Sequence, residues 1–128
     1  MTVKMVGAIN SGSAAGIAGS ATANANSDVI LKGRVMAIYV KYNDTPPATT
    51  DVTIRTVGTS PSAPSYNLLK LTDVTADGWK YPTDSAHTVN GEIIVDAYVE
   101  QVVADYVNVL IEGANAGDSV DVWILLEY

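Results

Sequence analysis

Cysteine and phenylalanine are absent from this 128-residue chain, and histidine occurs once. Without cysteine there can be no disulfide staple, thiolate metal site or cysteine nucleophile. One histidine rules out a histidine-rich zinc centre. Positive charge is scarce: seven Lys and Arg stand against fourteen Asp and Glu, for a formal charge of −7 and a pI near 4.3. Nucleic-acid binding draws on cations that displace counterions from phosphates, and anionic membranes attract clustered basic residues. Here Lys4, Lys32, Arg34, Lys41, Arg55, Lys70 and Lys80 are scattered, with only Lys32 and Arg34 close together. Neither nucleic acid nor membrane is an expected partner. No run of eighteen apolar residues exists to form a transmembrane helix. Residues 1–23 have a lysine near the start and Ala21-Thr22-Ala23 as a cleavage-like end, but the stretch between is broken by Asn, Ser and Gly. A cleaved signal peptide is therefore not expected.

What is present is apolar residue in quantity, 48% of the chain against 16% charged, with a mean hydropathy of +0.17. That composition suits one globular domain with a core rather than a disordered chain. Two compositional parts stand out. Residues 1–27 are mostly Ala, Gly, Ser, Asn and Thr, which bury little area while costing backbone entropy to order. They read as an extended N-terminal arm, packed over its own domain or docked on a partner. Residues 28–128 read as a β domain expected to fold without that arm.

The β signal is alternation. Residues 34–42 place Met36, Ile38, Val40 and Tyr42 on one face, and 51–57 place Val52 and Ile54 inward with Thr53 and Arg55 outward. Further strands are expected over 66–71, 92–99, 106–111 and 119–128. Across 95–103, Val95, Val99, Val102 and Val103 also fit a helix face, but the valine content favours a strand. Prolines 46 and 47, and 61 and 64, cannot donate to a ladder and mark connectors. Asp77-Gly78 and Asn90-Gly91 are hairpin-type dipeptides, and 112–118 reads as a hairpin loop joining the last two strands. The expected fold is an all-β antiparallel β-sandwich or jelly roll of about seven or eight strands. Its core is expected from Val35, Ile38, Val52, Ile54, Leu69, Leu71, Val107, Val109, Ile111, Val122, Ile124 and Leu126.

Candidate chemistry is sparse. His87 has Asp84 and Ser85 close by, but three residues on one loop rarely form a triad, and no Gly-x-Ser-x-Gly turn is present. Residues 73–78 resemble the opening of a calcium loop, with Asp73, Thr75, Asp77 and Gly78 in sequence and Asp84 at the twelfth position. The third position is Thr and the twelfth lacks the bidentate Glu, so a turn built on Asp side chains is the plainer reading. The glycines of residues 7–19 lack a phosphate-loop pattern. No catalytic, cofactor or metal residues are expected, and the protein is not expected to be an enzyme. Trp79, Tyr81 and Trp123 could form a sugar-stacking platform, or fill a core or subunit interface. Trp123 alternates away from Val122 and Ile124.

From about Gly33 onward the chain resembles small head proteins of tailed bacteriophages. The resemblance rests on residues 46–54 (PPATTDVTI), 77–82 (DGWKYP), 105–107 (DYV) and 117–123 (GDSVDVW). It implies a capsid decoration, or cement, protein on the outer capsid surface of the virion, with the major capsid protein as partner and a homotrimer as the assembly. These phrases carry no known chemistry, so the resemblance assigns no functional residue. The alternative function is a carbohydrate- or receptor-binding β-sandwich module on a virion or cell surface.

Overall fold

The computed structural model describes residues 2–59 and 64–128. Most of the proline-bearing connector expected at 60–65 lies outside the described residues. Among the described residues ten strands form: β1 (Val3–Asn10), β2 (Ala21–Asn26), β3 (Leu31–Tyr42), β4 (Asp51–Thr56), β5 (Asn67–Leu71), β6 (Gly78–Lys80), β7 (Thr83–His87), β8 (Ile93–Asp105), β9 (Val107–Ala114) and β10 (Val120–Glu127). They make two antiparallel sheets. Sheet I runs β1-β10-β3-β8-β7, and sheet II runs β2-β9-β4-β5. The short β6 shares an edge of β3 with β8: β8 pairs residues 31–35 of β3, and β6 pairs residues 38–40.

The pairings nest. β1 pairs β10, β2 pairs β9, β3 pairs β8, and β4 pairs β5. One long antiparallel hairpin, folded over so that successive pairs alternate between sheets, produces that set, and it is the winding of a jelly roll. The expected all-β sandwich is thus observed, with β6 and β7 added between the fifth and eighth strands.

Residues 3–26 behave differently from the arm expected over 1–27. They supply β1 to the edge of sheet I and β2 to the edge of sheet II, and no extended arm is seen. The reason is legible in β2, where Ala21, Ala23 and Ala25 turn inward while Thr22, Asn24 and Asn26 turn outward. Alanine alternates as a strand residue does, but its small apolar surface makes a weak hydropathy signal. Ala21 is fully buried, and Ile9 and Ala14 join the core.

The core lies between the sheets. Val35, Ile38, Val40, Val52, Ile54, Val107, Val109, Ile111, Val122 and Ile124 are fully shielded from water. Two bulges shift the expected faces. Met36 is an extra residue where Leu125 pairs Ala37 and Leu126 pairs Val35, so Val35 and Ile38 both face inward and Met36 is only partly buried. In β5 the register slips between Ile54 and Arg55, and Leu68 takes the buried place while Leu69 packs at its margin. A bulge reverses the faces beyond it, which simple alternation cannot anticipate.

Two connections also differ from expectation. Residues 112–118 do not close a hairpin, because β9 and β10 lie in different sheets; the segment carries the chain across the sandwich. The 95–103 stretch is strand, and β8 continues to Asp105. Asn90-Gly91 does sit in a hairpin turn between β7 and β8, closed by Gly91 N–H donating to Thr88 O at 2.9 Å. Gly78 instead opens β6.

Candidate functional site on the outer face of sheet I

The two outer faces differ in chemistry. Sheet II presents Asn24, Asn26, Asn108 and Arg55, joined in one network: Asn108 Nδ2 donates to Asn24 and Asn26, and Arg55 Nε donates to Asn108 Oδ1. Sheet I instead places aromatic rings side by side. In register, Trp123 of β10 pairs Tyr39 of β3, and Tyr39 pairs Trp79 of β6. Tyr39 and Trp123 alternate with buried neighbours and so point away from the core, and Trp79 is the exposed residue of β6 between two partly buried ones. Ring centroids of Tyr39 and Trp79 are 5.2 Å apart at 59°, and those of Tyr39 and Trp123 are 5.8 Å apart at 57°. Such tilted packing is favourable for aromatic pairs. Trp79 keeps 44% of its surface open to solvent.

The fourth strand of the row makes room for it. Between Val6 and Ile9 the β1–β10 register shifts, leaving Gly7 beside Trp123. A Cβ on Gly7 would lie 2.7 Å from Trp123 Cδ1, and Gly7 has a φ of +152°, which side-chain-bearing residues rarely adopt. Glycine here lets the indole lie against the β1 backbone. Met5, Tyr39, Lys41, Trp79 and Trp123 line a shallow depression of about 510 Å³. Next to the aromatic row on the same face runs a polar one. Asp121 pairs both Lys41 and Asn10 in register, and Asn10 Nδ2 donates to Asp121 Oδ1 at 2.8 Å.

The other candidates are not brought together. His87, Asp84 and Ser85 all lie on β7, and Asp84 accepts a hydrogen bond from the Ser85 backbone N–H at 2.9 Å. Adjacent strand residues point to opposite faces, so Asp84 and Ser85 do not converge. Of the calcium-like loop, Asp73 N–H donates to Asp51 Oδ1, while Asp77 Oδ1 accepts from Tyr42 N–H at 2.8 Å. Asp84 stands on β7. Among the described residues, no three His, Asp or Glu side chains gather as a metal site would require. Tyr81, the third ring singled out in the sequence, is largely exposed just beyond β6.

A second surface feature is the β7–β8 hairpin. Residues 101–105 of β8 pair with β3; among the described residues, the rest of β8 has β7 as its sole ladder partner. Val89, Ile93, Ile94, Val95, Tyr98 and Val99 are all exposed on it. The strand expected over 92–99 has none of its residues in the expected core, and its large apolar side chains face water in the single chain. The sequence matches no known protein-family profile, and no curated protein matches it.

Proposed function

We propose that this protein is a structural virion protein that binds the outer surface of a tailed-phage capsid and reinforces contacts between major capsid subunits, as a homotrimer and without catalysis. The observation that supports association is the β7–β8 hairpin. A two-stranded hairpin is marginal in water by itself, and several large apolar side chains left exposed on one suit contact with a partner. The nature of the partner comes from the resemblance to tailed-phage head proteins. Jelly rolls serve in both capsid and lectin domains, so the architecture accommodates this role without selecting it.

Many copies, each with a modest apolar contact, would hold shell junctions closed through multivalency. The test combines light scattering of the purified protein with co-sedimentation on capsids of the phage that carries this gene. Trimers in solution, bound capsids and a higher temperature of particle disruption are expected. The double variant Ile94→Ser, Val99→Ser should keep its β circular dichroism spectrum and lose capsid binding. A monomer that ignores capsids would reject the reading.

A further inference from the structure

We propose that the outer face of sheet I binds a carbohydrate, a short neutral pyranose oligosaccharide, between Trp79 and Trp123. A pyranose ring has a C–H-rich face that stacks on an aromatic ring and a rim of hydroxyls that both donate and accept hydrogen bonds. The site offers both halves. Trp79, Tyr39 and Trp123 form a continuous row across three strands, and the 510 Å³ depression they line with Met5 and Lys41 is open to solvent. Beside it stand the Lys41 ammonium, a donor, and the Asp121 carboxylate, an acceptor oriented by Asn10. The ion pairs among the described residues both belong to Arg34, so Lys41 is not tied to a carboxylate there.

The rings are also held in place before any ligand arrives. Tyr39 is wedged between the two indoles, and Trp123 lies in the space that Gly7 leaves on β1. Rigid aromatic side chains lose little entropy on binding, which favours affinity. The tilts of 57° and 59° make a stepped surface rather than a flat bed, which suits separate sugar units of a single chain. A narrow aromatic row bordered by hydrogen-bonding groups distinguishes this face from the β7–β8 hairpin, whose exposed large apolar side chains are mostly aliphatic. The hairpin therefore suits a protein partner, and the ring row a sugar.

The protein carries its own reporter, because Trp79 and Trp123 are its only two tryptophans. Maltotriose, cellotriose and N,N′-diacetylchitobiose would each be titrated into the full-length protein, with tryptophan emission and calorimetry as readouts. At least one probe is expected to give a saturable emission change with a dissociation constant in the millimolar range or tighter. Trp79→Ala should weaken that binding about tenfold or more while leaving the thermal transition in place. Asp121→Asn should weaken it several-fold. Absence of saturable binding by all three probes overturns the proposal, as does equal binding by Trp79→Ala. If Trp79→Ala instead dissociates an oligomer and no sugar binds, the row is a contact between copies and the proposal fails. Capsid binding is read separately through the hairpin, so either reading can fail without the other.

Discussion

Thr49 and Gly113 lock the connector after β3 onto β9: Thr49 Oγ1 donates to Gly113 O at 2.7 Å, and the backbone of Gly113 runs directly against the Thr49 carbonyl. Gly113 has a φ of +63°, in the left-handed region. A Cβ there would overlap the Thr49 carbonyl oxygen, which belongs to backbone and cannot swing aside. Gly113→Ala is therefore expected to destabilise the fold by about 2 kcal/mol or more, combining backbone strain with steric overlap. Denaturant unfolding of the two proteins checks this. An unchanged midpoint would mean that the 43–50 connector can move away freely.

Removing residues 1–26 is expected to abolish cooperative folding. β1 covers the edge of β10, and β2 covers the edge of β9, so the deletion strips a strand from each sheet and bares the core around Ile111 and Ile124. Exposed strand edges of that kind invite aggregation. Thermal unfolding followed by circular dichroism should show no sharp transition in the truncated chain. A sharp transition near that of the intact protein would restore the view of this segment as a dispensable arm.

Tyr42 sets an alkaline limit. Burial raises its pKa to about 12, helped by the negative charges of Asp77 and Asp51. Its hydroxyl donates to Val74 O at 2.7 Å, which only the neutral phenol can do. Because the folded pKa lies above the unfolded one, this contribution is complete below pH about 10 and is lost as pH rises through about 12. A loss of stability on the order of 2–3 kcal/mol is expected across that window. Tyr42→Phe should flatten this dependence, as measured by urea midpoints at a series of alkaline pH values.

Asp105 sets the corresponding acid limit. It stands at the corner where β8 leaves sheet I and the chain turns into β9. Oδ1 accepts from the Thr59 hydroxyl at 2.6 Å and the Tyr106 N–H at 2.7 Å, and Oδ2 accepts from the Gly58 N–H at 2.7 Å. The Thr59 hydrogen bond leads in holding this carboxyl below the usual range, the backbone donors add to it, and burial opposes them. A depressed folded pKa means that the stabilisation is present above the ordinary aspartate value and disappears as pH falls through the folded one. Asp105→Asn should lower stability at neutral pH and shallow the acid limb of the stability curve. Identical acid limbs in the two proteins would remove Asp105 from this role.

Alternation along the chain determined the fold class, because strands with one buried face must repeat with a period of two. Val52 and Ile54, or Val122 and Ile124, carry enough apolar area for that period to be read directly. The same period in Ala21, Ala23 and Ala25 was masked by small side chains, so two strands looked like an arm. The outward direction of Trp123 also followed from alternation. Only the tertiary structure decided what stands beside it. Tyr39 and Trp79 are brought into its row by strand register, which depends on bulges and sheet order rather than on local sequence. Sheet membership of β9 and β10 was likewise invisible, since a hairpin loop and a crossover of this length use the same Gly, Asn and Asp residues. The exposure of the β7–β8 hairpin had no local signature either: its valines and isoleucines mark a strand without saying what covers it, and only the departure of β8 from β3 beyond the Val35–Gln101 pair, where β6 takes over that edge of β3, leaves them facing water.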